Sequence, residues 1–269
     1  ETKYDNHKTE FYSYVTSPSV LNSDLAYLLG FYYGNGSIQK PKNGKYNYSI
    51  SFSIAGDYPE VRDKLRRICY EQFNVEPNDA PCDGNCYGLC VHRKHINEFF
   101  VANGFDKSSF MRVPKQILAS GNDIKSAFVA GYFDADGYVS GRKKGYAFTS
   151  ISKEFLKDIQ MILLSMGIVS RIHVEKRSVN WNDLYTLTVT GKSSQKRFVE
   201  IVGKYSVKVQ RKKFIAKRDN VLSIHRGMNG YPNSEFMSLG ALDSYAPELN
   251  KLLWLDRIKS DQAIEVYSI

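Results

Sequence analysis

Leu28-Leu29-Gly30-Phe31-Tyr32-Tyr33-Gly34-Asn35-Gly36 and, about a hundred residues further on, Val129-Ala130-Gly131-Tyr132-Phe133-Asp134-Ala135-Asp136-Gly137 are two copies of one pattern. Each is an apolar run with a glycine near its start and a polar residue before a closing glycine. A glycine inside a helix costs on the order of 1 kcal/mol relative to alanine. A cost carried by both copies predicts a packing reason, with two helices approaching closely at Gly30 and Gly131. Helices paired in this way bring their C-terminal ends together, so that Asn35 and Asp136 become neighbours.

The duplication extends outward from these runs. After Gly36 come Ser37-Ile38, a basic turn with Lys40, Lys42 and Lys45, and a strand from Tyr46 to Ser53; after Gly137 come Tyr138-Val139, a turn with Arg142, Lys143 and Lys144, and a strand from Tyr146 to Ile151. Amphipathic helices follow at 60–73 (Val61, Leu65, Ile68) and 153–166 (Phe155, Ile159, Ile162, Leu163), with the three- and four-residue steps of a core-facing stripe. Strand endings at 88–92 and 185–190 lead to last helices bearing Ile96, Phe99 and Phe100, and Phe198, Ile201 and Val202. The reading is an α/β (α+β) fold of two pseudosymmetric αββαββα repeats at 23–118 and 119–220, with an N-terminal extension (1–22) and a C-terminal extension (221–269). A short helix is expected at 247–258. Asp123 reads as the N-cap of the second motif helix, and Gly167 as a C-terminal cap.

The chain has 269 residues, 42% of them hydrophobic, which is enough for a substantial core. Its net charge of +9 and 19 tyrosines point to a polyanionic partner, nucleic acid first. No run approaches the 18 apolar residues of a membrane span, and the N-terminus has no apolar signal-peptide core. Four cysteines make no disulfide scaffold in a chain this long, so an intracellular, reduced protein is expected. Cys82, Cys86, Cys90 and His92 lack the spacing of a zinc knuckle and read as hairpin and core residues.

Asp134 and Asp136 fall in the last turn of a helix, the end where the macrodipole already concentrates negative charge. Carboxylates placed there beside basic turns suit a divalent cation better than they suit stability. The 204–218 segment carries seven cations and no acid, including Lys204, Lys208 and Arg211, and reads as a phosphate-contacting run. Strand residues after the basic turns (Tyr46, Tyr48, Ser51, Tyr146, Thr149) are candidate base-edge or phosphate contacts, although half of each strand must face the core.

Together the two motifs resemble those of the LAGLIDADG homing endonucleases, in the class that carries both motifs in one chain. The likeness spans roughly residues 23–218. The stretch from Val113-Pro114-Lys115 through Val139, and the serine-led helix from Ser152 to Met166-Gly167-Ile168, are similar to the endonuclease domains found inside inteins. The resemblance implies a monomer whose antiparallel sheets form a saddle over double-stranded DNA. It implies Mg2+-dependent hydrolysis at a long asymmetric site, with Mn2+ or Ca2+ as substitutes in binding. The motif helices would deliver Asp136 and Asn35 to the scissile phosphates, with Gly34 and Ala135 included in the metal site. A second-half lysine from Lys208, Lys212 or Lys213 would assist, and Arg112 would join the DNA contacts.

This sequence departs from the pattern in its first half. Asn35 is neutral where an acid is expected, Tyr33 stands opposite Asp134, and Met111 occupies the place of an intein-type lysine. Three explanations fit: a strand-preferring enzyme, a DNA-binding protein without cleavage, or a deliberate replacement of Asp at residue 35. An RNA-binding intron maturase is the remaining alternative. The chain starts with Glu1 and ends without a His-Asn pair, so self-splicing is not expected.

Overall fold

The computed structural model describes residues 15–39, 48–105, 107, 111–140, 145–177 and 182–212. The first repeat runs α1 (Ser23–Asn35), β1 (Gly36–Gln39), β2 (Ser49–Ala55), α2 (Pro59–Phe73), β3 (Asn78–Ala80), β4 (Cys86–Val91) and α3 (Lys94–Ala102). After a short connecting helix, α4 (Lys115–Leu118), the second repeat runs α5 (Asn122–Asp136), β5 (Gly137–Ser140), β6 (Gly145–Ser150), α6 (Lys153–Ser165), β7 (Ser170–Glu175), β8 (Leu184–Val189) and α7 (Lys192–Ile201). A final short helix, α8 (Val207–Arg211), follows. The doubled αββαββα order is as the sequence implies. The proposed helix at 247–258 lies outside the described residues, and among the described residues no helix is long and apolar enough to cross a membrane.

Each repeat builds one four-stranded antiparallel sheet, ordered β1-β2-β4-β3 and β5-β6-β8-β7. Alternation decides which side chains enter the core. Ile50, Phe52 and Ile54 of β2 are buried, while Ser53 and Ala55 are exposed on the opposite face. In β6, Tyr146 and Phe148 are buried, and Thr149 takes the opposite face. Helices cover one face of each sheet: Phe31 of α1 meets Phe52, and Tyr132 of α5 stacks on Phe148.

The motif helices are buried on all sides rather than along one stripe: every residue from Leu25 to Tyr33, and from Ser126 to Ala135, is inside. They cross at the two interior glycines. A Cβ at Gly30 would lie 1.9 Å from Phe128 O, and one at Gly131 would lie 2.0 Å from Tyr27 O. Neither position has room for a methyl group, which accounts for the doubled glycine. The contacts are pseudo-twofold, since both glycines meet the carbonyl three residues before the partner glycine.

Asn22 caps α1 by accepting from the Leu25 amide (2.8 Å), and Ser152 caps α6 by accepting from Phe155 (3.2 Å). Gly167, at φ 73°, ends α6 as expected. Asp123 differs: α5 is capped at Gly121, and Asp123 sits inside the first turn, where Tyr205 and Lys204 bind its carboxylate at 3.0 and 3.3 Å. The 15–22 part of the N-terminal extension is docked, with the Thr16 amide donating to Phe73 O at 3.0 Å. The cysteines are also corrected. Cys82 and Cys86 form a disulfide across the β3–β4 hairpin, while Cys69 and Cys90 are free and buried.

Candidate functional site

The C-terminal tips of α1 and α5 touch. A Cβ at Gly34 would lie 2.4 Å from Ala135 Cβ and 3.1 Å from Asp136 Oδ2, and Asn35 Nδ2 donates to Ala135 O at 3.4 Å. Residues 35 and 136 are therefore neighbours at a local dyad. The copies are offset by 136 − 35 = 101 residues, and the same offset relates two lysines on either side of the tips. Lys107 Nζ donates to Gly34 O (2.9 Å) and Gly36 O (2.6 Å); Lys208 Nζ donates to Ala135 O (3.1 Å) and Gly137 O (3.0 Å). Each ammonium closes the carbonyl-rich end of its own motif helix, where a cation is favoured.

One acid sits among these groups. Burial pushes the Asp136 carboxyl up, and the charges of Lys107 and Lys208 pull it back down. Burial lowers the Lys107 ammonium to about 8, with Asp136 opposing the shift. Burial lowers Lys208 as well, against Asp134 and Asp136. Among the described residues no donor bonds to the Asp136 carboxylate, whereas the carbonyl of the same residue accepts from Thr149 Oγ1 at 3.4 Å. Asp136, half-buried and without a donor, sits at the tip that also carries Asn35, and a carboxylate with a side-chain amide is a donor set that fits a hard divalent cation completed by water and phosphate oxygens. No cluster of three or more His, Cys, Asp or Glu occurs among the described residues, so a cation there would need ligands from its substrate. The Gly34 and Ala135 carbonyls, also read as metal ligands, already accept hydrogen bonds from the lysines.

Asp134 points elsewhere. It is buried and accepts four hydrogen bonds, from Tyr27 Oη (2.6 Å), Ser206 Oγ (2.6 Å), Val207 N (2.8 Å) and Lys208 N (3.0 Å). It binds the start of α8 and does not share the tip with Asp136.

The other sequence-read residues separate in space. Lys212 is exposed, one residue past the end of α8, and Lys213 lies outside the described residues. Lys40, Lys42, Lys45, Tyr46, Arg142, Lys143 and Lys144 also fall outside them. Ser51 and Thr149 are half-buried on the open sheet faces, and Tyr48 is half-buried just before β2. Tyr146 is a correction: it is fully buried, stacked on Phe198 with centroids 4.7 Å apart, and cannot reach a groove. The remaining cations have protein partners. Arg112 chelates Asp158 through Nε and Nη2, both at 2.7 Å; Lys204 pairs with Asp123; Arg211 binds Asp57 O and Glu60.

Lys107 was missed by the reading that placed Met111 in the lysine's position; the offset of the repeats would have found it. The sheet registers add cross-strand rows on the faces opposite the helices, in which Ser37, Asn78, Tyr138 and His173 are exposed while Cys90, Ala147, Thr186 and Thr188 are buried. Ser37, Ser51, Cys90 and Asn78 form one cross-strand row in the first sheet. In the second sheet, Tyr138, Ala147, Thr188 and Arg171 form one row and Thr149, Thr186 and His173 another. Residues directly opposite in an antiparallel ladder share a face, so each row points away from the helices.

The LAGLIDADG-like domain model matches residues 123–203. Similar solved structures are I-DmoI in complex with DNA and Mn (TM-score 0.53, 18% identity, covering 68% of this chain and 97% of that one) and the homing endonuclease I-WcaI bound to its DNA recognition sequence (0.51, 15%, covering 79% and 93%). Two αββαββα repeats with touching motif-helix tips define the LAGLIDADG homing endonuclease fold. This chain has that fold, and the LAGLIDADG-like domain model matches it within the second repeat.

Among curated proteins, the chain is 27% identical over 219 residues to the glutamine--fructose-6-phosphate aminotransferase of Methanocaldococcus jannaschii, covering 80% of this chain and 19% of that protein. It is 39% identical over 102 residues to the probable translation initiation factor IF-2 of Thermococcus kodakarensis, covering 38% and 8%. The chain thus spans about a fifth or less of the length of these relatives.

Proposed function

We propose that this chain is a site-specific DNA endonuclease of homing type, acting as a monomer on a long asymmetric duplex site. The observation that carries the reading is the pair of touching helix tips, with Asp136 set between Lys107 and Lys208 and with an open-faced sheet in each repeat. I-DmoI and I-WcaI, which share the fold, are solved with DNA, and I-DmoI also with Mn. A phosphodiester backbone laid over the tips would meet one carboxylate, one amide oxygen and two ammonium groups.

A divalent cation, Mg2+ by hardness, would be held by Asp136 and Asn35 and would supply Lewis-acid stabilisation of the leaving oxygen and an activated water. The chain's own residues would do the rest. Lys107 and Lys208 would offer positive charge to the phosphate oxygens as negative charge builds up. The sheet rows through Ser51 and Thr149 would read base edges, and unpaired cations outside the core would hold phosphates. Because Asn35 is neutral, the two halves are unequal, which favours one strand over the other.

The two curated relatives, an aminotransferase and a translation initiation factor, share no biochemistry in their names, and each contains the matched segment as a small part of its length. That distribution supports an intein-type segment carried by unrelated hosts, so none of the hosts' activities transfers to this chain.

The test is a supercoiled plasmid carrying the rejoined DNA flanks of the coding segment, incubated with the protein and Mg2+ or Mn2+. Open circles ahead of linear product support an unequal enzyme, and a gel shift without product supports a binding protein. Selective binding to a structured intron RNA instead would support a maturase.

A further inference from the structure

Lys107 and Lys208 are matched in role but not in how they are held. Lys208 is carried by α8, and α8 is fixed at its start by three of the four bonds to Asp134, from Ser206, Val207 and Lys208. Ser206 Oγ, one of those donors, also accepts from Val209 N at 3.1 Å and so caps the same helix. The first repeat adds contacts from outside: Lys64 Nζ bonds to Tyr205 O and lies 3.6 Å from the centre of the Tyr27 ring. Arg211 and Lys208 lie over the Tyr58 ring, at 5.0 and 5.4 Å. In the first repeat the residue matching Asp134 is Tyr33, which stacks on Phe155 and makes an edge contact with Phe128. Lys107 lies outside any helix.

We propose that Asp134 is a positioning residue, which binds the first amides of α8 and thereby fixes Lys208 at the Asp136-bearing tip, a device not found among the described residues of the first repeat. This inference rests on the endonuclease reading and deepens it. The halves differ in lysine placement as well as in Asn35, and both differences favour the second half. A buried carboxylate with four donors tolerates little displacement, so its loss moves the helix it holds.

The experiment uses duplex made from the rejoined flanks, end-labelled on each strand in turn, under single-turnover conditions with Mg2+. Lys208→Met first identifies the strand served by the second half. Asp134→Asn is expected to slow that strand on the order of tenfold to a hundredfold, as misplacement by about 1 Å does, leaving DNA affinity and the other strand unchanged. The double variant should be no slower than Lys208→Met alone, because Asp134 acts through Lys208.

Equal slowing of both strands, multiplicative effects in the double variant, or a wild-type rate in Asp134→Asn would overturn the proposal. If Asp134→Asn does not fold, Ser206→Ala removes one of the four bonds. It should show a smaller loss on the same strand, and a strand-neutral loss would again count against the idea. A wild-type chain that cuts neither strand removes the endonuclease reading itself. A cutting wild type with a strand-neutral Asp134→Asn removes only this inference.

Discussion

At Gly30 a methyl group would have to occupy space 1.9 Å from a backbone oxygen. The obstacle is the main chain of the facing helix, which cannot swing aside as a side chain would. Gly30→Ala should therefore destabilise the protein by about 1–3 kcal/mol or more, seen as a lower melting temperature, and Gly131→Ala should behave alike. An unchanged melting temperature for either would mean that the helices do not meet there. At the tip, Asn35→Asp restores a second carboxylate. It should lower the divalent-cation concentration needed for cleavage and bring the two strand rates closer together, as measured by a cation titration with strand-specific labels. The glycine pair and the 35/136 pairing were legible because repetition singles out positions whose local cost needs a reason. The role of Asp134 was not legible. Its partners in α8 are more than seventy residues away in sequence, and a carboxylate beside another reads as a ligand until its donors are seen.

Among the elements, the motif helices, the following strands and the amphipathic helices were readable because each has a clear period and stop. The core-facing half of a strand was harder to assign. Tyr146 and Thr149 lie on the same strand with opposite fates, and only the register with β8 decides between them. Arg112 and Arg211 were read as DNA contacts, but both are engaged by acceptors of the protein itself. The β3–β4 hairpin carries a disulfide that composition argued against. Closing so short a loop should contribute roughly 2 kcal/mol on the chain-entropy account. The Cys82→Ser/Cys86→Ser pair should therefore lower stability by that order in denaturant titration under oxidising conditions. Under strong reductant the wild type and the double variant should coincide. Cys69, whose thiol burial pushes up to about 12, should resist alkylation until the chain unfolds.

For the whole molecule, two repeats in one chain give two sheet faces of unequal make-up, the surface proposed to take the duplex. The net charge of +9 should make DNA binding strongly salt-dependent. A plot of log affinity against log salt should have a slope on the order of −5 or steeper, as for six or more neutralised phosphates. A flat dependence would count against backbone binding. The central claim is that the touching tips form one cleavage centre and that Asp136 is its indispensable carboxylate. The most direct measurement is single-turnover cleavage of the rejoined-flank duplex by wild type and by Asp136→Asn, at matched occupancy verified by gel shift, with Mg2+ present. The account predicts equal binding and a loss of about a hundredfold to a thousandfold in cutting for Asp136→Asn, the scale of removing a principal electrostatic group. Cleavage by Asp136→Asn at the wild-type rate would contradict it.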